Sequence, residues 1–321
     1  MRILGVVGAS QVATVYMAEM AGGRLVEFVE ALQPPFSRDE RWILMISTLF
    51  GCPVKCRICD AGGTYRGKPT AAEILSQIDY LVEKWYPDRR VPAGKFKIQF
   101  ARMGEPTLNP AVLDVLEALP ARYHAPGLIP SLSTIAPKGA DAFLESLLVL
   151  KNRLYPDGRF QFQFSIHTTD SRLRDWLIPV QKWDLAAMAK YGERFLRPGD
   201  RKITLNFALA VDMPIEPDIL ARYFDPRHFL IKITPVNPTY RAQENGLASY
   251  VDPCQPSASE AVAARLAEYG YEVLVSVGEL KENEIGSNCG QYVLNYLRAN
   301  VVVEGGYSYP VVRSPADGGA A

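Results

Sequence analysis

Cys52, Cys56 and Cys59 fall within eight positions of one another, in a 321-residue chain that holds only two further cysteines, Cys254 and Cys289. Thiols that close serve metal binding or redox exchange. Structural zinc asks for four ligands, commonly as two spaced pairs. Here the fourth would have to be Asp60 or a distant side chain, and no second cysteine pair exists. Cys56 and Cys59 alone make the Cys-x-x-Cys of a dithiol redox site, which leaves Cys52 without a part. The full Cys-x-x-x-Cys-x-x-Cys spacing suits a loop that wraps three corners of a four-iron cluster and leaves one iron open for chemistry. This reading uses all three thiols and asks for no fourth protein ligand.

Such a loop needs a scaffold. Apolar, β-rich runs read as strands at 41–50, 95–103, 130–137, 159–168, 202–211, 228–238 and 271–279. Helical patterns lie between them at 70–86, 109–123, 140–155, 183–196, 216–224 and 257–270. Strand alternating with helix implies a parallel sheet. Six such units predict an α/β fold, a partial (β/α)6 TIM-like barrel, whose chemistry belongs at the C-terminal strand ends. The polar motifs fall there. The cysteines follow the first strand and Gly104-Glu105-Pro106 the second. Ser133 ends the third, Ser165-Ile166-His167 the fourth, and Asn237 follows the sixth. Gly, Pro, Ser and Asn end strands routinely, but an acidic Glu105 and a His167 at two such ends ask for more. The expected division is a small β extension over 1–40, the barrel with a C-terminal strand/helix segment over 41–300, and a tail over 301–321. The irregular stretch 237–256 is long for a structureless loop and is a candidate substrate-facing element.

Composition narrows the class. Hydrophobic residues make up 48% of the chain, and Lys plus Arg balance Asp plus Glu at 35 each. A grip on a long nucleic acid usually brings a basic excess, so large structured RNA is disfavoured. The odd, clustered cysteines argue against a secreted disulfide scaffold and for the cytoplasm. No run is long and apolar enough to predict a membrane span.

The cysteine spacing resembles that of the radical S-adenosylmethionine (SAM) superfamily. The resemblance implies a [4Fe–4S] cluster on Cys52, Cys56 and Cys59, with SAM bound at the open iron and cleaved reductively. It further implies that Glu105 accepts from the SAM ammonium group. The ordered motifs around Gly104, Ser133, Ser165, Asn237 and Cys289 are similar to the RlmN/Cfr group, which methylates adenine carbons in RNA. That likeness spans roughly 40–295. It implies SAM contacts from Gly104, Glu105, Ser133, Ser165, Ile166, His167 and Asn237, and a methyl-carrying Cys289. A low-potential electron donor of the flavodoxin or ferredoxin type is implied as partner. A general base is expected near the N-terminus, with Glu30 preferred to Glu27. One departure stands out. The group's resolving cysteine is replaced by Met45, whose thioether forms no disulfide. Two enzyme readings follow: methylation of an sp² carbon through Cys289, or hydrogen abstraction on a small molecule or peptide without methyl transfer. A small RNA remains a third substrate class. A non-catalytic iron–sulfur or zinc protein would have no use for the SAM motifs.

Overall fold

The computed structural model describes residues 1–252, 255–278, 280–287, 291–293 and 308–313. Three antiparallel strands come first: β1 (Arg2–Ala9), β2 (Ala13–Glu19) and β3 (Leu25–Ala31). β3 pairs antiparallel with β4 (Arg41–Ile46), so the N-terminal extension continues the main sheet. From β4 the sheet runs parallel through β5 (Lys95–Phe100), β6 (Leu128–Thr134), β7 (Gln161–Ser165), β8 (Ile203–Leu209), β9 (Phe229–Pro235) and the short β10 (Val273–Val275). β11 (Val312–Arg313) pairs with β1 at the far edge. It lies within 301–321, of which only residues 308–313 belong to the described set.

Helices α1 (Ala71–Trp85), α2 (Ala111–Arg122) and α3 (Asp141–Leu154) cover one face. α4 (Ser171–Leu177), α5 (Leu185–Phe195), the five-residue α6 (Pro217–Ala221), α7 (Tyr240–Glu244) and α8 (Ser257–Glu268) continue the layer, and α9 (Leu280–Ile285) follows β10. α1 starts at a reciprocal cap. Thr70 Oγ1 accepts from the Glu73 N–H, and Glu73 reaches back to the Thr70 N–H. Such a box satisfies two of the donors that every helix start leaves over.

Alternation along the strands separates two environments. Phe96, Ile98, Phe100, Phe162, Phe164, Phe207 and Ile231 point outward and are buried against the helices. Their inward neighbours are polar and mostly half-exposed, among them Gln99, Ser133, Gln163 and Lys232. A fully packed barrel fills its interior with apolar layers. This parallel sheet instead keeps a wet concave face, as a partial barrel with room for ligands requires.

Candidate active site

The loop from Ser47 to Thr70 carries the three cysteines and is pinned from both ends. Gln77, buried on α1, accepts from the Ser47 N–H and donates to the Ser47 carbonyl, each at 3.0 Å. Asn109 Nδ2 donates to the carbonyls of Thr48 and Pro69 at 2.9 Å, closing the loop's two ends onto one side chain. Gly62 packs on the turn before Cys56, where a Cβ would stand 2.6 Å from Lys55 Cα. Only glycine tolerates that approach.

The far side of the loop is held by α7, inside the stretch expected to face substrate. Asp60 is buried, and its carboxylate accepts from the Tyr240 N–H (3.2 Å) and the Arg241 N–H (3.0 Å). Arg241 Nε donates to the Cys56 carbonyl at 3.1 Å, and Thr239 Oγ1 to the Ile58 carbonyl at 3.0 Å. Arg57 donates to the Trp176 carbonyl at 2.9 Å and to Asn245 Oδ1 at 2.9 Å. Asp60, Thr239, Arg241 and Arg57 escaped the sequence reading, although Asp60 drew notice as a possible ligand. Nothing in their spacing announces a brace.

The thiols fit an anionic cluster that would hold them as thiolates. Cys52 is buried and Cys56 and Cys59 half-buried, none in a disulfide. Burial pushes the Cys52 thiol up to about 11, against backbone N–H donors from Val54, Glu105 and Lys55 aimed at its sulfur. Burial, then the neighbouring Cys52 and Glu105 charges, push Cys56 up as well, with Arg241 opposing. Buried thiols fringed by N–H groups gain a charge readily only when a metal group draws it. Among the described residues, no three His, Cys, Asp or Glu side chains converge on a point suited to a single ion.

At the end of β5, Gly104 adopts φ +101°, and a Cβ there would meet Leu49 Cβ at 2.4 Å. The bend lets the Met103 carbonyl accept from the N–H groups of Thr48 (2.8 Å) and Leu49 (3.0 Å). Glu105 is buried. Its Oε1 accepts from Thr134 Oγ1 (2.6 Å), Thr107 Oγ1 (2.7 Å) and the Thr107 N–H (3.2 Å), while Oε2 accepts from the Ile135 N–H (3.0 Å). Burial pushes its carboxyl up, and those donors oppose the rise. The side chain thus clamps β5 to β6, with acceptor capacity left on Oε2.

Ser133 sits half-exposed on the concave face of β6, and Ser165 does so at the end of β7. Ile166 is fully buried. His167 turns through φ +69°, and its Nδ1 accepts from the Ala208 N–H at 3.0 Å. Burial pushes the imidazole down to about 4, so it is neutral at pH 7, with its proton on Nε2. Asn237 follows β9, half-exposed.

Glu30 is not with this group. It projects to the helix side of β3, where Tyr16 Oη (2.5 Å), Trp85 Nε1 (2.8 Å) and Lys84 Nζ (3.1 Å) donate to its carboxylate. A carboxylate buried behind the sheet under four polar partners, Arg38 included at 3.6 Å, is structural. Its alternative, Glu27, lies on the other face. Glu27 and Arg102, both completely buried, pair at 2.8 Å. Arg102 also donates to the carbonyls of Ser287 (2.7 Å) and Gly286 (3.0 Å). The Val293 N–H donates to Glu27 Oε1 at 2.6 Å, and Gln291 Nε2 to the Arg102 carbonyl at 3.5 Å. Cys289 and Cys254 lie outside the described residues; both described flanks of Cys289 meet this pair. Met45, opposite Val29 and Gln99, shares the inward face.

Comparison with known proteins follows the same lines. No family model matches the chain. It is 26% identical over 279 residues to the probable dual-specificity RNA methyltransferase RlmN of Streptomyces coelicolor, covering 84% of this chain and 70% of that one. The corresponding Frankia alni protein is 25% identical over 280 residues, and the match spans 62% of its length. RlmN of Geobacter sulfurreducens is 32% identical over 174 residues, 53% of this chain and 44% of the relative. Over most of its length the chain resembles the RlmN/Cfr-type radical SAM enzymes. The fold agrees. A radical SAM methyltransferase from Sphaerobacter thermophilus superposes with a TM-score of 0.69 over 91% of this chain and 81% of its own, at 18% identity. Among the described residues of the RlmN/Cfr-like chain, no helix is long and apolar enough to cross a membrane.

Proposed function

We propose that this chain methylates an sp² carbon through a methyl group carried on Cys289. When bound, a [4Fe–4S] cluster and SAM supply one-electron reductive cleavage of SAM and the methyl group itself. The chain's own residues have distinct parts. Cys52, Cys56 and Cys59 would hold the cluster, with the Asp60–α7 brace keeping their loop in register. Gly104, Glu105, Ser133, Ser165, Ile166, His167 and Asn237 would line SAM, with neutral His167 adding no positive charge beside the sulfonium. Of the two N-terminal carboxylates, Glu27 faces the concave side and Glu30 the helices, so proton removal from a substrate adduct would fall to Glu27. A flavodoxin- or ferredoxin-type protein would deliver the electron. The observation that supports the reading best is the attachment of residues on both sides of Cys289 to Arg102 and Glu27. Arg102 immediately precedes the Met103–Pro106 turn that packs on the cysteine loop.

Met45 favours a second reading. It lies on the inward face, where a thiol would be needed to resolve a covalent adduct, and a thioether offers no such exchange. On that reading the chain cleaves SAM and abstracts hydrogen from a small molecule or peptide. One experiment separates the two. Reduced, iron-loaded protein with SAM should release 5′-deoxyadenosine, and Cys52→Ala should abolish it. On the methyl-transfer reading, Cys289→Ala leaves cleavage of SAM intact but ends substrate methylation. Indifference of the substrate product to Cys289→Ala supports the second reading instead.

A further inference from the structure

The cysteine loop carries a basic collar. Between Ser47 and Pro69 stand Lys55, Arg57, Arg66 and Lys68, against one acid, Asp60. Two short helices close on this loop. The α4 carbonyls of Trp176 and Leu177 accept from Arg57, the first from Nε at 2.9 Å and the second from the backbone N–H at 2.9 Å. On α7, Arg241 Nε donates to the Cys56 carbonyl at 3.1 Å. α4 brings Arg172 to the same neighbourhood. The loop follows β4, α4 follows β7 and α7 follows β9, all members of one parallel run of strands. The three segments therefore share the C-terminal end of the sheet.

Most of the acids here are already committed. Asp60 is buried and receives the Tyr240 and Arg241 N–H groups. Asp170 caps α4, accepting from the Arg172 and Leu173 N–H groups. Asp175 pairs with Lys182 at 2.6 Å, and Glu73, just beyond the loop, with Arg24 at 3.0 Å. Glu244 on α7 is exposed. It faces four exposed cations, Lys55, Arg66, Lys68 and Arg172, whose side chains make no hydrogen bond or ion pair among the described residues. Two large rings stand on the same segments. Trp176 is 39% exposed, with the Arg57 guanidinium 4.7 Å from its ring centroid, and Tyr65 is 44% exposed. The backbone N–H of Arg66 donates to the Phe50 carbonyl at 2.7 Å, which ties Tyr65 and Arg66 to the residues just before Cys52. Lys55 and Arg57 flank Cys56 directly.

We propose that this face is the docking surface for an acidic electron-carrier protein, with Lys55, Arg66, Lys68 and Arg172 supplying the charge and Trp176 and Tyr65 the apolar contact. Electron transfer weakens steeply with distance, so a donor protein has to sit against the loop that holds the acceptor. Electron-transfer encounters are small and transient. Complementary charge speeds and orients them more than it tightens them. A few unpaired cations around exposed rings, on the loop that carries the cysteines, meet that description. One electron leaves the carrier and one reaches the group held by Cys52, Cys56 and Cys59, with no bond made or broken. The proposal rests on the reading of those cysteines as cluster ligands and adds where their reductant binds. A nucleic acid is the less fitting occupant, because the basic residues span one loop and two short helices in a chain of balanced total charge.

The test is surface plasmon resonance of iron-loaded protein against an oxidised, FMN-loaded flavodoxin of net negative charge. The oxidised carrier binds without turnover, so the readout is separate from SAM cleavage. Association should be at least about tenfold slower in ~500 mM than in ~50 mM NaCl. Arg66→Glu/Lys68→Glu should slow association in ~50 mM NaCl at least about tenfold. Arg172→Glu, on a different element, should slow it at least about threefold, and carries the test should the double variant retain less iron. Arg159→Glu makes the same change of charge just before β7, at the other end of the strands, and should leave the rate within about twofold. Reduced chemically with dithionite, the variants should cleave SAM as the wild type does; reduced through flavodoxin, they should lag. The proposal is overturned by absence of binding at about 100 μM flavodoxin in ~50 mM NaCl, by equal binding of flavodoxin whose carboxylates have been amidated, by Arg159→Glu acting as strongly, or by a single-stranded RNA oligonucleotide that displaces the flavodoxin and loses affinity in the same variants. Absence of SAM cleavage by the wild type with dithionite would instead overturn the cluster reading, so the two failures are distinguishable.

Discussion

Replacing Arg102 with Met strikes a side chain that joins β3, the end of β5 and the flanks of Cys289. Arg102 and Glu27 are both fully buried. Removing the guanidinium leaves the Glu27 carboxylate with the Val293 N–H but without its counter-ion. It also strips the carbonyls of Gly286 and Ser287 of their donor. Breaking a buried ion pair on one side costs about 3–5 kcal/mol. Against a typical domain stability of about 5–15 kcal/mol, that is severe. Glu27→Gln alone should cost less, about 1–3 kcal/mol, because Arg102 keeps two carbonyl acceptors. The double variant Glu27→Gln/Arg102→Met removes both charges. It should be more stable than the sum of the single effects predicts, by about 1–3 kcal/mol. Urea denaturation of the three variants measures this. Hydrogen exchange at the Val293 amide reports the same pair locally and should accelerate in Arg102→Met. A loss below about 1 kcal/mol, or strict additivity in the double variant, would refute the idea that the pair holds this segment.

Other perturbations have equally definite outcomes. Gly104→Ala forces a Cβ into Leu49 at a strained φ; a melting temperature within error of wild type would exclude the tight turn, since about 1–3 kcal/mol is expected. Asp60→Asn keeps the shape but loses the charge that receives two backbone N–H groups. We expect about 1–2 kcal/mol of destabilisation and reduced iron retention, read by melting and iron analysis. His167 is neutral when folded, while its unfolded counterpart protonates below about pH 6.5. Folded stability therefore falls as pH drops from about 6.5 to about 4, by about 3 kcal/mol from this residue. His167→Gln should flatten that part of the stability–pH curve.

The alternation of strand and helix made the barrel legible, because apolar runs with period two and helical patterns differ in kind. The cysteines, Gly104, Glu105, Ser133 and Ser165 were legible for a related reason: each sits where a strand stops, and strand ends are written in local residue types. What escaped was anything that depends on facing. Glu27 and Glu30 lie three residues apart on one strand and so point to opposite faces, and nothing local said which face was the concave one. Arg102 hid in the same way. Its partner is 75 positions distant, and the segment it holds a further 185 onward. The α7 brace at Asp60 likewise spans about 180 positions of chain.

The central claim is that Cys289 carries the methyl group. The most direct measurement is peptide mass spectrometry of iron-loaded, reduced protein given SAM with a deuterated methyl. The account predicts a labelled methyl on the Cys289 peptide, none on the Cys254 peptide, and none anywhere in Cys52→Ala. An unlabelled Cys289 in protein that still releases 5′-deoxyadenosine would contradict it.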